Sequence, residues 1–338
     1  MKKFDVYAIG NALVDIEYHT SNAKLSELGI KKGLMTLIDE QKQNNLINYL
    51  GASQEQMACG GSAANTIIAL AQFGAKVHFD CRVANDFAGQ FFAEDLHNAG
   101  VDSNLKLGDS DTGVSGKCLV FVTPDADRTM NTFLGASAEL NSRDIDEAAL
   151  INSEYAYIEG YLVSADCTRA AAIQARKTAE KYGVKTALTL SDPNMVIYFR
   201  EGLQDMLGDG VDLLFANESE ACEFTQCENL ADAIPSLKKV ARCFAITRGK
   251  HGSLVFDGTS LIEIAGYPVD AIDTLGAGDL FAGAFLYGLS VGMTLAQAGD
   301  LASLASAQIV TQYGPRLCAE EIQAILTRFN SGIQTDND

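Results

Sequence analysis

Two carboxylates, Asp273 and Asp279, bracket the segment DTLGAGD, and the glycines at 276 and 278 between them let a ligand approach the backbone closely. The residues that follow, LFAGAFLYGL, mix small and large apolar side chains at helical spacing. A turn that opens a helix aims free backbone N–H groups outward. The first four amides have no internal partner, and the macrodipole is positive there. Such a turn receives an anion, and Asp279 falls where a hydroxyl docked against that anion would hydrogen-bond. Phosphoryl transfer uses this pairing, because it depends on positioning, charge neutralisation and a carboxylate that orients the nucleophile and takes its proton. A helix N-terminus lowers an aspartate pKa, so the sequence predicts an ionised Asp279 at neutral pH. The plainer alternative is a helix cap with Asp279 in its first turn. A Rossmann fingerprint is excluded, since its third glycine position is Phe281, and no Walker loop is present.

Three further segments carry polar groups next to glycines or strand ends. CGGSAANT, residues 59–66, is a second glycine turn before an apolar helix; Gly60 and Gly61 permit close approach, and Ser62 and Asn65 offer groups for hydroxyls. Alternatively, Ser62 only caps the helix. NESE, residues 217–220, ends an apolar strand at its carboxyl edge, where parallel sheets bind ligands, and its Asn217 and Glu220 could order water around Mg²⁺. TRGKHG, residues 247–252, sets Arg248 and Lys250 beside glycines, as a nucleotide phosphate site or as an ordinary hairpin turn.

The elements that must position these segments follow from periodicity. FDVYAIG, KVHFDCRV, YAYIEGY, KTALTLS, VDLLFAN and ARCFAIT read as strands, and EIAGYPVDAI before DTLGAGD as another. Between them, TIIALAQFG, FFAEDLHNAG and TRAAAIQARKTAEKYG have helical spacing and end in glycine. This βα alternation implies an α/β chain: a mostly parallel sheet with helices on both faces. Residues 11–55 and 112–136 break the alternation, and KCLVFVT, PDAD and RTMNTFL read as a hairpin, so these two stretches are expected to form a small β lid. We expect one domain over residues 1–330 and a polar tail over 331–338.

The chain of 338 residues carries 25 Lys plus Arg against 44 Asp plus Glu, a net charge of −19, which argues against nucleic acid and anionic membranes as partners. Any phosphate compound must meet local positive potential. The eight cysteines are scattered without a CxxC pair, which predicts mostly buried free thiols and a reducing, cytoplasmic location. No stretch approaches the roughly 20 apolar residues of a membrane helix.

Taken in order, GNALVDI, GGSAAN, NESE, TRG and DTLGAGD resemble the PfkB, or ribokinase, family of carbohydrate and nucleoside kinases, over about residues 4 to 328. The resemblance implies a ribokinase-like three-layer α/β/α fold and a kinase that uses ATP and Mg²⁺, with K⁺ in members that need it. It casts Asp279 as the base, and the GAGD turn of Gly276, Ala277 and Gly278 as the anion hole, with amides from Ala277, Gly278 and Asp279. Asn11, Asp15, Gly60, Gly61, Ser62 and Asn65 fall at acceptor positions, with Arg128 reaching a phosphate; Tyr161, in YIEGYL, is either a residue that stacks on a base or a core aromatic at a strand end. Asn217 and Glu220 fall at the Mg²⁺ and phosphate pair, Glu220 through water. Thr247, Gly249 and Gly252 match the nucleotide loop, and Asp273 a monovalent-cation ligand. Ser62 stands where ribokinases carry lysine and Asn11 where adenosine kinases carry asparagine. Both, with the long lid insert, point to a primary hydroxyl of an adenosine-like nucleoside, with Phe133 as a second stacking candidate. The alternatives are a ribokinase or fructokinase type and a catalytically silent nucleotide or metabolite sensor. A monomer and a homodimer joined through lid edges are both expected forms.

Overall fold

The computed structural model describes residues 2–33, 35–50, 56–105, 113–124 and 128–335. Its main sheet has nine strands. In spatial order they are Leu261–Ile264, Ser253–Phe256, Ala241–Thr247, Val211–Asn217, Lys185–Thr189, Ser153–Ile158, Phe4–Ile9, Val77–Asp80 and Asp102–Ser103. From Ala241–Thr247 onward every pairing is parallel; the first two strands add an antiparallel edge.

Alternation along these strands sends side chains into two separate cores. Val6, Ala8, Leu213 and Phe215 pack with the helices Ser62–Phe73, Ala277–Ser290 and Leu295–Ile309. Tyr7, Ile9, Leu214 and Ala216 pack with Asp166–Tyr182 and Pro193–Leu207 on the other face. Strands apolar on both faces need helices on both faces, which gives the three-layer α/β/α arrangement expected.

The stretches expected to form a lid contribute to a second, five-stranded sheet in the order Met35–Leu37, Arg128–Phe133, Gly116–Val122, Leu13–His19 and Gln56–Gly60. The expected hairpin is present, with Val122 opposite Arg128; residues 125–127 of its turn lie outside the described residues. The last strand was not expected. Gly60, read as part of a glycine turn, instead ends a strand and pairs with Leu13.

Three other readings change. Of EIAGYPVDAI only Glu263 and Ile264 lie in a strand. Gly266 then packs on the Lys250 carbonyl, and Pro268 has no amide to donate, so the chain runs as an exposed loop into DTLGAGD. Residues 331–335 of the expected tail continue the helix Ala319–Thr335; residues 336–338 lie outside the described residues. Of the eight free cysteines, only Cys59, Cys81 and Cys118 are buried, while Cys167 and Cys318 are exposed, so apolar neighbours in sequence overstate thiol burial. Among the described residues no helix is long and apolar enough to cross a membrane.

Candidate active site

The double glycine lets two of the chain's own polar residues come close. A Cβ on Gly60 would fall 2.2 Å from Asp15 Oδ1, so only glycine allows that carboxylate to lie against the strand end. Gly61 has φ +98, and a Cβ there would sit 2.4 Å from the Asn11 carbonyl oxygen. Helix Ser62–Phe73 begins immediately after it with no side-chain cap, so Ser62 does not serve as its N-cap.

Glu159 ties this corner together. It follows the strand Ser153–Ile158, is fully buried, and accepts the amides of Asn11, Ser62 and Ala63. Burial pushes its carboxyl up to about 7 against the pull of those three donors.

DTLGAGD is braced from behind. Asp273 is buried; its Oδ1 accepts the Leu275 amide at 3.1 Å and its Oδ2 the Gly314 amide at 2.9 Å. Gly276, at φ +74, is the N-cap of helix Ala277–Ser290, and a Cβ there would lie 2.1 Å from the Pro315 carbonyl oxygen. A Cβ on Gly278 would meet nothing within 4 Å, so this side of the turn is open.

Asp279, in the first turn, accepts Ser62 Oγ at 2.6 Å and Asn65 Nδ2 at 3.0 Å. Its pKa is not lowered, as the helix terminus alone predicts. Desolvation raises it to about 6 and outweighs the two hydrogen bonds that pull it down. It remains mostly ionised at neutral pH.

Asn217 and Glu220 form a reciprocal capping box at the start of helix Glu218–Thr225. Glu220 is nevertheless buried beside the cavity. Desolvation, then the nearby charges of Asp192 and Asp279, push it up to about 7 against the Asn217 amide.

These groups share one cavity of about 790 Å³. Asn11, Asp15, Gly61, Ser62, Asn65, Glu159, Tyr161, Asn217, Glu220, Thr247 and Gly249 line it, together with Asp273, Gly276, Gly278 and Asp279 of the DTLGAGD turn. The lid contributes Leu13, Met35, Leu37, Cys118, Met130 and Thr132.

Six expected residues are not in the lining, among them Arg248, which pairs with Glu263 at 3.7 Å, and exposed Lys250. Gly60 stands behind Asp15. The Ala277 amide, expected in the anion hole, donates to the Thr274 carbonyl at 3.3 Å, and its carbonyl accepts Ser306 Oγ at 3.0 Å. Gly252 turns the chain against the Ile264 carbonyl, so its part of TRGKHG is the hairpin turn of the alternative reading. Phe133 alternates with Thr132 and faces away from the cavity. Arg128 opens its strand, but its side chain falls outside what the structure describes.

Sequence reasoning missed Glu159, Ser191 and Asp192, which all line the cavity. Ser191 has φ +70 and a buried Oγ without a hydrogen-bond partner, and Asp192 caps helix Pro193–Leu207. A carboxylate ending an apolar strand, and an Asp-Pro pair at the next strand end, were the available signals.

The sequence pattern of the pfkB family carbohydrate kinase matches residues 30–322. The fold is similar to a probable sugar kinase from Rhizobium etli CFN 42, with TM-score 0.89, 31% identity and coverage of 97% of this chain and 100% of that one. It is equally similar to adenosine kinase from Sinorhizobium meliloti, with TM-score 0.89, 33% identity and coverage of 96% and 99%. A curated relative, 5-dehydro-2-deoxygluconokinase of Geobacillus thermodenitrificans, is 25% identical over 75% of this chain and 79% of its own. The chain therefore belongs to the pfkB family of carbohydrate kinases, which transfer a phosphoryl group to a hydroxyl.

Proposed function

We propose that the chain transfers the γ-phosphoryl group of ATP to a primary hydroxyl of an adenosine-like nucleoside. The observation that carries the nucleoside reading is the mixed lining of the cavity: polar Asn11, Asp15 and Asn65 beside an apolar wall of Leu13, Met35, Leu37, Cys118 and Met130, with Asp15 on the same strand as Leu13. A free sugar is hydroxylated all round and would leave polar groups against that apolar wall, whereas a nucleoside joins a polar ribose to a base with apolar faces. Tyr161 lines the same cavity. The adenosine kinase neighbour supports this reading, and the sugar kinase neighbour supports the second one, a sugar kinase.

Each residue has a part in the transfer. Asn65 and Asp15 hold acceptor hydroxyls, and Asp279, ionised above about pH 6, takes the proton of the attacking hydroxyl. The open face of Gly278 and the amides of Gly278 and Asp279 receive the transferred group's negative charge, while the Ala277 amide is already bonded to the Thr274 carbonyl at 3.3 Å. Closure of the lid excludes water, which would otherwise compete as acceptor. Glu220 suits Mg²⁺ through water: it is a buried oxygen donor crowded by Asp192 and Asp279, and a cation would relieve that repulsion. When bound, Mg²⁺ neutralises phosphate charge. N–H donors face both oxygens of Asp273, as the Asn217 N–H and Nδ2 face both of Glu220, so neither suits direct cation ligation, and it is the carboxylates beside Glu220 that favour a cation held there through water. A silent sensor would not need the Asp279 contacts. ADP release with adenosine, inosine, ribose, fructose and no acceptor tests the reading; release driven best by a sugar overturns it.

A further inference from the structure

Ser62 lies in the first turn of helix Ser62–Phe73, and Asp279 in the first turn of helix Ala277–Ser290. The two helices are locked together: a Cβ on Gly283 would lie 2.9 Å from the Thr66 carbonyl oxygen and 3.1 Å from Ala69 Cβ. The Ser62 backbone is fixed as well, since Glu159 holds its amide and that of Ala63. The hydroxyl of Ser62 is thus the movable part of the contact, and its 2.6 Å bond to Asp279 Oδ1 is of the short, charge-assisted kind. Beside it, Asn65 Oδ1 is buried and has no hydrogen-bond partner, although Nδ2 of the same amide is bonded to Asp279 Oδ2. That orphan acceptor marks where an arriving hydroxyl donates, next to the Ser62–Asp279 pair.

We propose that Ser62 is a positioning residue that parks the Asp279 carboxylate until an acceptor hydroxyl replaces it, so that ATP is spent on the acceptor and not on water. The inference rests on Asp279 being the base. Without an acceptor, a water must displace the seryl O–H to reach Oδ1. With one, the substrate's own O–H takes that place. Losing the seryl donor removes a hydrogen bond that holds the Asp279 pKa down, while the groups facing it from other elements, Tyr157, Glu159, Tyr161 and Glu220, stay as they are.

The test compares the full-length wild type with Ser62→Ala and Ser62→Thr, using Mg·ATP and whichever acceptor the wild type turns over best. We expect Ser62→Ala to raise the ratio of acceptor-free to acceptor-dependent ADP release by roughly fivefold or more. Its acid limb of kcat/KM should move up by about 0.5 pH unit, and Ser62→Thr, which keeps a hydroxyl, should restore both. An unchanged ratio in Ser62→Ala, or a threonine variant that behaves like alanine, overturns the proposal. A wild type that prefers a sugar would defeat the nucleoside reading and leave this comparison intact.

Discussion

Replacing Glu159 with glutamine separates its charge from its hydrogen bonds. With an ordinary value of 4.5 in the unfolded chain and about 7 in the folded one, the folded state resists ionisation. Below about pH 4.5 both states are protonated and the residue has no pH-dependent effect. As pH rises from there to about 7, the unfolded chain ionises first and stability falls; above about 7 the loss is complete. Linkage puts the loss at roughly 1 kcal/mol at pH 5.5 and roughly 3 at pH 8, a change of about 2 kcal/mol. Glutamine cannot ionise, so Glu159→Gln lacks this change. Its NH₂ group meets a backbone donor among Asn11, Ser62 and Ala63, which costs about 1–3 kcal/mol at any pH. Urea unfolding of both proteins at pH 5.5 and 8 reads the difference. The wild type should lose about 2 kcal/mol relative to the variant between the two pH values. A constant difference would show that the three amides keep Glu159 ionised throughout and that burial does not dominate here.

Asp279→Asn keeps the shape and removes the proton acceptor. It should lower kcat by roughly 10² or more with ATP affinity within a few-fold, and near-wild-type turnover would remove Asp279 as base. In the wild type, kcat/KM should fall as pH drops through about 6, where Asp279 is protonated. Asn65→Ala and Asp15→Ala should each weaken the acceptor by about 1–3 kcal/mol, seen as a raised acceptor KM; a raised KM for ATP alone would mean the two sites are assigned backwards.

Much of this was legible because it is local. The strands came from apolar runs, the lid from a break in βα alternation, and DTLGAGD from glycines at a helix start. What escaped depends on tertiary contact. Glu159 is a single acidic residue in YIEGYL, and only the approach of Asn11 and helix Ser62–Phe73 makes it a hub. The Asp279 pKa was misjudged because the helix terminus is a local effect and desolvation is not. The double glycine was read as room for a ligand, but Asn11 and Asp15 occupy that space. Asn217 and Glu220 were read as cation and phosphate groups, and the structure adds that they cap their own helix.

The substrate class is tested most directly by kcat/KM for adenosine and for ribose, measured side by side at saturating Mg·ATP. A base against the apolar lid wall or Tyr161 adds about 1–3 kcal/mol by the scale for stacked bases. Since about 1.4 kcal/mol is tenfold, adenosine should exceed ribose by at least about tenfold. Equal values, or a preference for ribose, would contradict the nucleoside reading.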